Sequence, residues 1–135
     1  MFLLKKDLIV AISEDELDEI TRKDEAIVQQ AMGASISTMM IYLFDGYDTE
    51  SIFAQTGAAR HALLLQTGVD IAIYFVTGRG QAGQNVDDRK SRYDRAIKLL
   101  EAFKKTETYS DLPRRDARKE QGFSLKSNPK RNNYF

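Results

Sequence analysis

The chain has no cysteine among its 135 residues and only one histidine, His61. The first absence removes disulfides, thiolate metal sites and cysteine nucleophiles together. With a single histidine besides, the usual zinc ligand sets cannot be assembled within one chain. A cysteine-free chain fits the cytoplasm, and one of this length buries enough surface to fold without covalent staples. Long apolar runs are also missing. Met1-Phe2-Leu3-Leu4 is followed at once by Lys5-Lys6-Asp7, which is not the pattern of a signal peptide. The longest apolar stretch, Ala62 to Val76, is interrupted by Gln66 and Asp70. It is too short and too polar for a bilayer and reads as a buried helix. No internal repeat stands out, and no serine has a histidine and an acid in a triad-like pattern. The expectation is a protein that is not an enzyme, with no cofactor, no metal and no membrane partner.

What is present is charge, unevenly placed. The formal net charge is zero, yet residues 1–86 hold 6 basic and 12 acidic side chains, while residues 87–135 hold 14 and 8. Such asymmetry points to electrostatic docking, either to a polyanion or between copies of the chain. An acidic body with a basic end also suits head-to-tail association, the kind that closes rings.

The local pattern is helical throughout. Leu4, Leu8, Ile9 and Ile12 lie near one face of a short first helix. Ser13 and Glu16 match a capping box, with Ser13 capping the next helix and Glu16 reaching back. The acidic cluster Glu14, Asp15, Glu16, Asp18 and Glu19 then sits where a helix dipole favours negative charge. It lacks the glycine and the alternation of a calcium loop. Asp24 caps a long helix running to about Phe44, in which Ile27, Ala31, Ala34, Thr38 and Ile41 recur at three- and four-residue steps. Met32, Ile36, Met39, Met40 and Leu43 widen its apolar surface, so that it is buried on two sides or meets another subunit. Asp45-Gly46 ends it, with glycine free to take the left-handed conformation. Residues 47–57 read as a loop with a short turn at 50–54. A further helix spans about 58–76, with His61 near its start as a partly exposed or hydrogen-bonded residue rather than a catalyst. A Gly-rich loop covers 78–85, and Asn85 caps a last helix with Asp87 and Asp88 in its first turn. Tyr93, Ala96, Ile97, Leu100 and Phe103 give that helix the clearest periodicity in the chain. The fold class is therefore all-α, a small bundle of about four to five helices over residues 1–113. Residues 114–135 form a basic arm, extended until bound, with 7 basic against 2 acidic side chains.

Gly78-Arg79-Gly80-Gln81-Ala82-Gly83 matches G-x-G-x-x-G after an apolar run and before a helix, the context of a dinucleotide fingerprint. Three features count against that use. Residues 69–76 would be the only convincing strand, where a nucleotide fold needs several. The apolar surface continues back through Leu65, Leu64 and Leu63, as a helix of about five turns would require. Asp87 and Asp88 would also crowd a phosphate at the same helix end.

Five segments, in this order and spacing, resemble a family of small proteins of Mu-like phages and prophages. They are Leu4-Lys5-Lys6-Asp7-Leu8 with Glu14-Asp15-Glu16-Leu17, then Asp24 to Ala31, then Tyr42-Leu43-Phe44-Asp45-Gly46-Tyr47-Asp48, then Gly68 to Phe75, and last Arg92 to Leu100. That family is read as head–tail connector or head-completion proteins. The resemblance covers roughly residues 4–113. It implies a helical domain that assembles as a ring on the dodecameric portal, located in the virion neck and, during assembly, in the host cytoplasm. Its partners would be the portal and the adjacent neck or tail protein, with transient contact to DNA in the channel. The arm departs from the family pattern, and the 47–57 loop lacks the usual proline. For partner binding the expected residues are Arg114, Arg115, Arg118, Lys119, Lys126, Lys130, Arg131, Tyr134 and Phe135, offering charge for steering and rings for anchoring. Phe44, Tyr47 and Phe53 are expected at the subunit interface. The alternative is a helical nucleic-acid-binding protein with its arm on phosphates. Against it, the arm lacks interleaved aromatics and the body lacks an evident recognition helix.

Overall fold

Six α-helices follow one another, with no strand among the described residues of a computed structural model, which are 1–78, 86–105 and 111–115. The helices are α1 (Lys5–Ile9), α2 (Glu14–Thr21), α3 (Glu25–Leu43), α4 (Thr49–Ala54), α5 (Ala62–Thr77) and α6 (Val86–Lys105). The chain is thus a small all-α bundle. The turn expected at 50–54 is a helix in its own right, and a single 3-10 turn at Gly57–Ala59 precedes α5.

Local chemistry sets the boundaries. The Ser13 hydroxyl accepts the Glu16 N–H at 3.2 Å and starts α2. Glu16 does not reach back as a capping box would; its carboxylate pairs instead with Arg89 of α6. Asp24 starts α3 by accepting the Ala26 N–H at 3.0 Å, and Asp48 starts α4 through the Ser51 N–H at 3.2 Å. The break between α2 and α3 uses two left-handed residues, Arg22 (φ 54°) and Lys23 (φ 57°). Neither is glycine, so each carries the steric cost of a Cβ in that backbone region, and both residues are exposed. The expected left-handed stop at Gly46 is absent: Gly57 has the only positive φ among the described glycines. The end of α3 is instead closed by the Tyr47 N–H on the Leu43 carbonyl at 3.0 Å.

The three long helices α3, α5 and α6 pack on one another, with α1 and α2 laid over α5 and α4 beside α3. The buried side of α3 is Val28, Ala31, Met32, Ser35, Met39 and Leu43. That row lies off the one read from the sequence, in which Ala34 and Ile41 are exposed. α5 is the central helix, with Leu64, Thr67, Gly68, Val69, Ile71, Ala72, Ile73 and Val76 all buried. Ala96, Leu100 and Phe103 of α6 complete the core, with Tyr93 and Ile97 packed at its margin. Phe2 and Leu3 are buried ahead of α1, and Phe2 meets Phe53 edge-on at 5.1 Å.

The amino-terminal segment is held by one ion pair. Arg60 and Asp7, 53 residues apart, have side chains only 8% and 11% exposed. The guanidinium binds both carboxylate oxygens, at 2.6 and 3.1 Å, and also donates to the carbonyls of Phe2 at 2.8 Å and Gly57 at 2.9 Å. The Asp7 carboxylate in turn accepts the Leu4 N–H at 2.8 Å.

Candidate partner-binding surface

After α6 the chain returns to the far end of α3. Leu112 is buried, the Asp48 N–H donates to the Pro113 carbonyl at 2.9 Å, and the Arg115 N–H donates to Gly46 at 3.2 Å. Tyr47 and Arg114 form an isolated antiparallel bridge. Packing therefore continues two residues past the compositional boundary at Pro113. The Arg114 guanidinium lies 4.6 Å over the Tyr47 ring, and that of Arg115 lies 4.4 Å over the Phe44 ring. Each is a cation resting on the negative face of an aromatic. Arg115 also donates to the Phe44 carbonyl at 3.1 Å. These two arginines root the arm on the helical body.

The residues expected at a subunit interface separate into three situations. Phe44 is 54% exposed beside Arg115 and remains open to a partner. Tyr47 is only 2% exposed and belongs to the chain's own core. Its hydroxyl donates to the Phe103 carbonyl at 2.8 Å, and its ring meets Phe103 edge-on, so the α6 end occupies the place a second subunit would need. Phe53 is half-buried because its ring is spent on Phe2. Of the arm, Arg114 and Arg115 are described; Arg118, Lys119, Lys126, Lys130, Arg131, Tyr134 and Phe135 lie outside the described residues. So do Asn85 and all but the first residue of the G-x-G-x-x-G match; residues 69–76, which would have been its strand, belong to α5.

Tyr47→Phe tests the anchor chemically. It leaves the ring in place but removes the hydroxyl's hydrogen bond to the Phe103 carbonyl, so a loss of about 1 kcal/mol in urea unfolding is expected. An unchanged midpoint would show that the hydroxyl bond adds nothing.

A second feature was not legible in the sequence. An open groove of about 370 Å³ runs between α5 and α6, lined by Leu63, Gln66, Thr67, Asp70, Arg92, Arg95, Ala96 and Leu99. Burial pushes the Asp70 carboxyl above 3.8, while the hydrogen bond with Gln66 and the charges of Arg92 and Arg95 oppose the shift. A carboxyl raised on folding contributes stability that is present below its unfolded value and lost as pH rises through the folded value. Asp70→Asn should therefore raise the melting temperature at pH 7, with the gain vanishing below pH 3.8. Equal gains at both pH values would assign the effect to packing.

His61 occupies the amino-terminal cap of α5 without capping it, and its ring meets Phe103 edge-on at 6.3 Å. Its Nδ1 is enclosed and has no hydrogen-bond partner. No acid or nucleophile pairs with it in the hydrogen bonds described. Among the described residues no three His, Asp or Glu side chains converge on a point that could hold a metal ion. Comparison of the chain with protein-family models, with curated proteins and with solved structures finds no match.

Proposed function

We propose that this chain is a structural assembly protein of a tailed phage or prophage, a neck adaptor that assembles on the portal and links capsid to tail. The observation that supports this most is the rooted arm. Arg114 and Arg115 fix the start of a strongly basic segment on the helical body, beside exposed Phe44. A body that holds the root of a charged segment in place lowers the ordering cost of docking it on a partner. The order of the five segments described above supports the same reading.

The experiment is binding to a purified portal followed by electron microscopy, with the full chain and with a version ending at Arg115. That end point keeps the Pro113 and Arg115 backbone bonds to the body. The expected result is a ring on the portal with the full chain and weakened occupancy with the shortened one. Failure of both to bind, with DNA affinity that falls steeply with salt, would replace the adaptor by a nucleic-acid-binding module.

A further inference from the structure

We infer that the groove between α5 and α6 binds a free α-amino acid with an apolar side chain, its ammonium on Asp70, its carboxylate on Arg95 and its side chain over Leu63 and Leu99. The two helices run antiparallel: His61 meets Phe103 at one end, and Tyr74 stacks on Tyr93 toward the other. In that register Leu63 and Leu99 lie toward the first end, Asp70 comes level with Arg95, and Arg92 lies one turn further on. Leu63 and Asp70 are seven residues apart on α5, as are Arg92 and Leu99 on α6. Two turns, about 10 Å, thus separate an apolar end from a charged one. The volume of about 370 Å³ is that of a small-molecule site, in which apolar walls surround a few placed polar groups.

Both signs of charge are present there, and neither is spent. The Asp70 carboxylate is half-buried, yet its hydrogen bond comes from the neutral Gln66 amide, at 3.2 Å. Arg92 and Arg95 lie near enough for their charges to act on it, but neither forms an ion pair with it among the described residues. Arg92 pairs instead with Asp88 of its own helix, at 3.1 Å. Arg95 is exposed and has no hydrogen bond or ion pair within the described residues.

Charge complementarity selects the occupant. A plain anion brought to Arg95 would face the Asp70 carboxylate. A plain cation brought to Asp70 would face two guanidiniums. An ammonium and a carboxylate on one carbon satisfy both groups, and they bridge the gap that keeps Asp70 and Arg95 from pairing directly. Burial holds the Asp70 carboxyl above 3.8, and an ammonium against it favours the charged form. The side chain on the same carbon lies along the groove toward Leu63 and Leu99. Leu63 is 43% exposed in the free protein, so covering it removes apolar surface from water.

The test is titration of the full chain with L-leucine, followed by amide chemical shifts in NMR. Saturable shifts confined to residues 63–70 and 92–99 are expected, with a dissociation constant below about 1 mM. N-acetyl-L-leucine lacks the ammonium, L-leucinamide the carboxylate and glycine the side chain. Each should bind more than about tenfold more weakly. Asp70→Asn and Arg95→Gln should each weaken leucine binding by a similar factor. Neither should lower the melting temperature, because Asp70→Asn relieves a buried charge and Arg95 is exposed without a partner. The pairings are read from the combinations: the acetyl penalty should vanish in Asp70→Asn, and the amide penalty in Arg95→Gln. Absence of saturable shifts at millimolar leucine would overturn the proposal. So would shifts centred elsewhere on the bundle, or N-acetyl-L-leucine amide binding as well as leucine, since the apolar end would then act alone. The site rests on the groove and not on the adaptor reading, so leucine binding by a chain that ignores the portal would keep one and remove the other.

Discussion

Replacing Arg60 with alanine is expected to lower folding stability by about 3 kcal/mol, the lower end of what removing one partner of a buried ion pair costs. Three groups lose a donor at once: the Asp7 carboxylate, which keeps the Leu4 N–H, the Phe2 carbonyl, and the Gly57 carbonyl, which keeps the backbone N–H of residue 60. The carboxylate is the expensive one, because it stays buried with its charge unpaired. For a chain of this size the change corresponds to a fall in melting temperature of roughly 10 °C. Lysine should rescue little of it. A single ammonium cannot bind both carboxylate oxygens and two carbonyls on opposite sides in the planar geometry of a guanidinium.

The pH dependence follows from Asp7. Burial alone would raise its carboxyl. The Arg60 hydrogen bonds, the Leu4 N–H and the charges of Arg60 and Lys6 outweigh burial and hold it below 3.8. A depressed carboxyl contributes stability that is present above its unfolded value and lost as pH falls through the folded value. The penalty of Arg60→Ala should accordingly be full at pH 7 and shrink in acid below pH 3.8. A double-mutant cycle with Asp7→Ala isolates the pair. Additive single penalties would mean that the two side chains act independently and that the ion pair does not hold the amino-terminal segment.

Nothing in the sequence announces this pair, because its members are 53 residues apart and no local pattern links them. Local signals fared differently. Ser13 and Asp24 are caps whose partners lie two or three residues away, and both appear where their residue types indicated. The α6 row was readable because its outer positions are charged, leaving one apolar stripe. α3 misled for the opposite reason. It is apolar nearly all round, so periodicity could not choose a face, and the true inner row includes Ser35 while Ile41 faces out. Tyr47 shows the limit at the candidate surface. An aromatic after a helix end looks the same in sequence whether it meets another subunit or the end of its own α6. The root of the arm was hidden likewise, since Pro113 to Arg115 pair with residues far back in the chain.

The second large effect is expected at Gly68, where α5 crosses α3 and the amino-terminal segment. The Ser35 hydroxyl donates to the Gly68 carbonyl at 2.7 Å, which brings the two helices close. A Cβ at Gly68 would lie 2.8 Å from Met39 Cε and 3.1 and 3.2 Å from the two Leu3 methyls. All three atoms are the ends of flexible side chains, so one methyl group can be admitted by small shifts. Alanine also gains about 1 kcal/mol of helix propensity over glycine, which offsets much of that repacking. Gly68→Ala should therefore be close to neutral. Gly68→Leu should not. Its extra atoms have no exit between α3 and the buried Leu3, and overpacking of this kind costs about 1–3 kcal/mol, occasionally more. Trimming the opposing side chain decides the cause: Gly68→Leu combined with Met39→Ala roughly conserves volume and should recover part of the loss. If the double variant is instead as unstable as the two single penalties added, leucine fails for a reason other than the space Met39 occupies. The clash would then lie with the Leu3 methyls, 3.1 and 3.2 Å from the added Cβ, rather than with Met39.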